Sequence, residues 1–129
     1  MTLPSANIII ADLNHIIDQF FKKNNEKIVL LIDDFQEIFG KEKAYQIPIS
    51  SVKPIIGHCM GGTGSLEALA CILAIRDQKV APTINYQNPD PECDLDYVPN
   101  EARSCDIDIA LSTSAGLGGH NASLLFKRI

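Results

Sequence analysis

The chain has 129 residues, the size of one ordinary domain, and 46% of them are hydrophobic, enough to build a packed core. Its formal net charge is -5 and the one local basic pair is Lys22-Lys23, read as a solvated helix face, which excludes a nucleic-acid surface built on clustered cations. No apolar run reaches the roughly 18 residues needed to span a bilayer, and the N-terminus lacks the charged-then-apolar order of a signal peptide, so a cytoplasmic location without a membrane partner is expected.

In chain order, residues 7–11 form a short apolar run suited to a buried strand. Apolar residues at Leu13, Ile16, Ile17, Phe20 and Phe21 then follow the helical period up to about Asn25. A second helix is expected over Ile28 to Phe39, stopped by Gly40 in a left-handed cap. Gln46 to Ser50 reads as a strand that Pro48 places at a sheet edge or makes begin late, and Lys53 sits just beyond it.

From Gly62 to about Arg76 runs the strongest helical segment, with Ala68 to Ile75 leaving almost no polar face. A helix apolar all round is expected to be buried all round, so protein beyond this short chain, a missing half or a tight oligomer, should help to cover it. Residues 82–99, rich in Pro, Asn and Asp, form an irregular connection. Ile107, Ile109 and Leu111 alternate with polar or small residues as a strand, and Gly116 to Gly119 turn the chain into a last strand from Ala122 to Ile129. The order is mixed α and β with no internal repeat, and residues 1–129 read as one domain.

Cys59, Cys71, Cys93 and Cys105 lack the paired short spacing of a zinc or redox site, so reduced thiols are expected. His15, His58 and His120 are widely separated, and neither a metal nor a cofactor is expected. Glycines before a helix, as in Gly62-Thr63-Gly64, can cradle phosphate. Here no Gly-Lys-Ser/Thr ends the loop, and Glu67 occupies the third position of a dinucleotide fingerprint, where a small residue is required.

Chemistry concentrates in Ser50-Ser51-Val52-Lys53, in Gly57-His58-Cys59-Met60-Gly61-Gly62-Thr63-Gly64, and in Ser114-Ala115-Gly116-Leu117-Gly118-Gly119-His120-Asn121. Together with Ala74-Ile75-Arg76-Asp77, Pro82-Thr83-Ile84-Asn85, Asp94-Leu95-Asp96-Tyr97-Val98-Pro99 and the closing Leu125-Phe126-Lys127-Arg128, these segments resemble the C-terminal half of a β-ketoacyl-acyl-carrier-protein synthase. The resemblance is continuous from about Ile38 to Ile129. It implies the C-terminal half of an α/β, thiolase-like fold, a mixed sheet with a buried helix, incomplete without an N-terminal half.

The resemblance also implies a site for decarboxylative condensation of acyl and malonyl thioesters in fatty acid or polyketide synthesis. His58 would help to decarboxylate the malonyl unit and stabilise its enolate. Lys53 belongs to the same site, and Glu67 matches the family's glutamate on the following helix. A buried lysine and glutamate near one another would fix the charge state of the pocket and orient the histidine. Gly116, Gly118 and Gly119, which also make a hairpin turn, would line the acyl pocket with Ala115 and Leu117, a backbone N–H contributing to the oxyanion hole. Ala115 stands where the family carries a phenylalanine gate, and Leu117 where another phenylalanine is common.

The nucleophilic cysteine belongs to the half not contained in this sequence, so the chain alone is expected to make no carbon–carbon bond. Implied partners are an acyl carrier protein and an N-terminal synthase half or synthase subunit, in a homo- or hetero-oligomer. An alternative comes from Ala11-Asp12-Leu13-Asn14, which aligns with the family's Ala-His-Gly-Thr segment. An Ala-Asp start resembles chain-length factors, non-condensing partners that shape the acyl tunnel and the dimer interface. Lys53 and His58 favour the enzyme reading, whereas Asp12 and Ala115 favour the chain-length factor.

Overall fold

The computed structural model describes residues 28–32 and 45–129. The strand expected at 7–11, the helix at 13–25 and the Asp12 position lie outside these residues. The described elements are β1 (Ile28–Ile32), β2 (Ile49–Ser50), α1 (Lys53–Ile56), a 3-10 turn (Met60–Gly62), α2 (Thr63–Asp77), β3 (Lys79–Val80), β4 (Arg103–Ser104), β5 (Ile109–Gly116) and β6 (His120–Lys127).

Four strands form one mixed sheet in the order β2-β1-β5-β6, with β1 parallel to both β2 and β5, and β6 antiparallel to β5. The helix expected from Ile28 is therefore corrected: Ile28-Val29-Leu30-Leu31-Ile32 is a strand, paired residue for residue with Ile109 to Thr113. An inner parallel strand needs no polar face, so its sequence is an unbroken apolar run, and periodicity cannot tell that run from a buried helix. Three of its five residues are β-branched, which favours the strand.

The edge position expected for the Pro48 strand holds among the described residues, although the ladder is only Ile49–Ser50. The irregular connection also forms as expected and lies against this edge. The Ile49 amide donates to the Asp96 carbonyl at 2.8 Å, the Ser50 hydroxyl to the Ala81 carbonyl at 2.6 Å, and the Ser51 amide to Thr83 Oγ1 at 3.0 Å. A bridge between Thr83 and Pro99 and the short β3–β4 pair close the connection at its base. Arg103 of β4 pairs with Asp96 of the connection, and Tyr45 donates to Asp94. The chain leading to Lys53 is thus held on both sides.

Helix α2 packs on β5. Cys71 and Ala110 share a buried cluster with Val52, against which Phe126 leans, and Ala74 joins Val80, Val98 and Ile107 in a second cluster. Ala110, Ser112 and Ser114 share one face of β5 by its two-residue period, the face toward α2. Gln78 ends the helix in a left-handed conformation, φ 53°. Its side-chain amide donates to the Ile75 and Ile107 carbonyls at 2.6 and 2.9 Å and accepts from the Ile107 amide at 2.9 Å, tying the helix end to the approach of β5.

Among the described residues, burial of α2 is one-sided. Thr63, Glu67, Cys71 and Ala74 form the buried stripe, while Leu69 and Ile72 remain 50% and 49% exposed, with Leu66 and Leu73 also on the surface. The all-round cover expected from its composition is not seen among the described residues. Among the described residues no helix is long and apolar enough to cross a membrane.

Candidate functional site

The segment between β2 and α2 presents Lys53 and His58 at the start of the long helix. Val52 is buried and anchors α1, whose second residue is Pro54, a position where the missing N–H breaks no helical bond. Gly57 closes α1 at φ +80°, its amide donating to the Lys53 carbonyl at 2.8 Å; a side chain there would meet no neighbour, so the backbone conformation is what requires glycine. His58 follows at once, with Nδ1 3.2 Å from the Thr63 hydroxyl. When Nδ1 accepts from Thr63, Nε2 carries the ring proton and can donate to an oxygen that gains negative charge.

Thr63 and Glu67 stand one turn apart on the buried stripe of α2. Glu67 is 5% exposed, and a carboxylate so deep in the protein needs partners. Its Oε1 lies 3.6 Å from Lys53 Nζ, and its Oε2 accepts from Ser114 at 2.9 Å and, through a long contact, from Ser112 at 3.5 Å. The Lys53 side chain keeps 19% of its surface accessible. An ion pair at this depth is strengthened by the low dielectric and completed by the serine hydroxyls.

The cysteines beside this cluster differ sharply. Burial pushes the Cys71 thiol up to about 12, and the Glu67 charge one turn away adds to the shift, so this sulfur stays protonated and unreactive. Cys59 is exposed next to His58, its Sγ 3.6 Å from the Ile56 carbonyl.

Ala115, Gly116, Leu117, Gly118 and Gly119 form the exposed end of the β5–β6 hairpin, with Leu117 wholly in solvent. The Gly119 amide donates to the Gly116 carbonyl at 3.2 Å, and Gly118 and Gly119 adopt φ +89° and +82°, which the three-residue loop requires. β5 runs further than expected, to Gly116, and β6 begins at His120. The Ser114 hydroxyl, two residues before Gly116, donates to Glu67 and so links the carboxylate toward this loop.

Lys53 and Glu67 are brought together, and His58 joins the Glu67 helix, α2, through Thr63. Thr63 and Ser114 stand inside the segments the sequence marks, but neither they nor Ser112 are given a role there. The serines lie 45 and 47 residues from Glu67, so local spacing carries no sign of them beyond their two-residue alternation with Ala110. Among the described residues no group of three or more His, Cys, Asp or Glu side chains is placed to hold a metal ion.

This helix-start geometry falls in a segment that known proteins share. Residues 32–87 match the family model "Beta-ketoacyl synthase, C-terminal domain". The chain is related to the C-terminal part of the β-ketoacyl synthases. It is 56% identical over 85 residues to 3-oxoacyl-[acyl-carrier-protein] synthase 2 of Synechocystis, a stretch covering 66% of this chain and 20% of that protein. The synthase of the same name from Staphylococcus aureus strain COL is 56% identical over 90 residues, 70% of this chain and 22% of the relative. The chain thus spans about a fifth of the length of these relatives.

A β-ketoacyl synthase from Burkholderia phymatum superposes with a TM-score of 0.71 at 31% identity, covering all of this chain and 34% of the other. A type II polyketide synthase ketosynthase structure, in complex with its acyl-carrier protein, gives 0.69 at 30% identity over 90% of this chain and 32% of that one. The fold is α/β and thiolase-like, as the resemblance implied.

Proposed function

We propose that the chain supplies the Lys53, His58 and Glu67 side of a condensing site that joins acyl and malonyl thioesters, completed by a half carrying the nucleophilic cysteine. The observation that carries the reading is the ion pair of Lys53 with Glu67 of α2, the helix whose first residue, Thr63, holds His58. In this mechanism the partner's thiolate holds the acyl group. His58 donates from Nε2 to the malonyl thioester oxygen as carbon dioxide leaves, the resulting enolate carbon attacks the acyl carbonyl, and the tetrahedral intermediate collapses by breaking the bond to the cysteine sulfur, which leaves as the thiolate. Lys53, charge-balanced by Glu67, favours the negative enolate, and the glycine loop offers a backbone N–H to the tetrahedral oxyanion.

The whole assembly would comprise this chain, the N-terminal half or a synthase subunit, and an acyl carrier protein as thioester donor, acting as a homo- or hetero-oligomer in the cytoplasm. The exposed Leu69 and Ile72 side of α2 supports the need for a covering half. Condensation by the purified chain mixed with the cysteine-bearing half and acyl and malonyl carrier proteins is the test. Product from the mixture and none from the chain alone is expected; product from the chain alone overturns the reading.

The second reading, a chain-length-factor-like subunit, is favoured by Ala115 in place of the phenylalanine gate. A ketosynthase/chain length factor structure also superposes with a TM-score of 0.67 at 30% identity. Under it, condensation by the mixture survives His58→Ala.

A further inference from the structure

Glu67 uses its two carboxylate oxygens for different elements: Oε1 faces Lys53 at the start of α1, and Oε2 faces the serines of β5. A carboxylate's terminal torsion is broad and soft, so nothing in Glu67 itself fixes which way Oε1 points. Of the two hydroxyls, Ser114 at 2.9 Å makes the stronger bond, since Ser112 at 3.5 Å is at the limit of useful geometry. We propose that Ser114 is a positioning residue for Lys53: its hydroxyl fixes the rotation of the Glu67 carboxylate and thereby the place of the ammonium.

Glu67 is buried, so water is a poor substitute for a lost hydroxyl there, and the carboxylate must turn to find another donor. Ser114 itself is held on β5 opposite Ala122, just before the turn that begins at Gly116. A displacement of the hairpin end is therefore transmitted to the Lys53–Glu67 pair through one hydrogen bond. The proposal rests on the reading of Lys53 as part of a condensing site, and it adds strand β5 as the element that sets the lysine's geometry.

The test is the rate at which Lys53 in the full chain reacts with an amine-directed acylating reagent, read by peptide mass spectrometry with Lys79 as internal reference. Ser114→Ala should raise the Lys53 rate roughly fivefold or more, as loss of a hydrogen bond to a charged group predicts, and Ser114→Thr should restore it. Ser112→Ala should change it less than Ser114→Ala. Should Ser114→Ala fail to fold, Ser114→Cys, which keeps the size but is a weak donor, should raise the rate in the same way. In the mixture with the cysteine-bearing half, Ser114→Ala should lower kcat more than it raises KM.

An unchanged Lys53 rate in a folded Ser114→Ala or Ser114→Cys chain overturns the proposal, as does failure of Ser114→Thr to restore it. A changed labelling rate together with no condensation by the native mixture leaves the positioning role standing and removes the condensing reading instead.

Discussion

Lys53 and Glu67, fourteen positions apart in the sequence, meet at 3.6 Å between the start of α1 and the second turn of α2. The carboxylate is the buried member of the pair and the ammonium the more accessible one. Breaking a fully buried pair by removing one partner costs about 3–5 kcal/mol. Because Lys53 retains contact with solvent, Glu67→Ala should cost somewhat less, about 2–3 kcal/mol, in urea unfolding of the chain. Glu67→Gln, which keeps an acceptor for Ser114, should cost less than Glu67→Ala.

Thr63→Val keeps the shape of a buried residue and removes the hydroxyl that meets His58 Nδ1. The stability change should be small, about 1 kcal/mol. The readout is nitrogen NMR of the imidazole: the fraction of neutral His58 carrying its proton on Nε2 should fall in the variant. An unchanged tautomer balance would show that Thr63 does not orient the ring.

The Cys71 thiol gives a pH signature. Its folded value near 12 lies above the unfolded value near 9, so the unfolded chain loses this proton first. The associated stability is fully present below pH 9 and is lost as pH rises from 9 toward 12, with a slope of up to about 1.4 kcal/mol per unit. Denaturant midpoints from pH 8 to 10.5 should fall in the native chain, with the slope reduced in Cys71→Ala. At neutral pH a thiol reagent should label Cys59 and leave Cys71 intact while the chain is folded.

Several elements were legible in the sequence because their signals are local. The α2 helix followed from its unbroken run of Ala, Leu and Ile, the hairpin from clustered glycines, the irregular connection from Pro, Asn and Asp, and the edge strand from Pro48. β1 was misread because a strand inside a parallel sheet loses the alternation that identifies strands elsewhere. Lys53, His58 and Glu67 were proposed through family resemblance, and spacing alone would not have joined them. Ser114 and Thr63 lie in the marked segments, but their roles arise only when β5 and the His58 loop come against α2.

Gly118→Ala tests the hairpin. An added Cβ would come 3.7 Å from the His120 ring, an ordinary contact, so the cost comes from φ +89°. A loss of about 1–2 kcal/mol is expected in thermal or urea unfolding, and similarly for Gly119→Ala at φ +82°, where no atom lies within 4 Å.

The central claim is that His58, set on α2 by Thr63 beside the Lys53–Glu67 pair, acts in decarboxylation once a cysteine-bearing half is present. It is tested most directly by carbon dioxide release from malonyl carrier protein in the two-part mixture, comparing the native chain with His58→Ala. The account predicts release that needs both parts and falls at least about a hundredfold in His58→Ala, the loss expected when an oxyanion donor is removed. Release at the native rate from the His58→Ala mixture would contradict it.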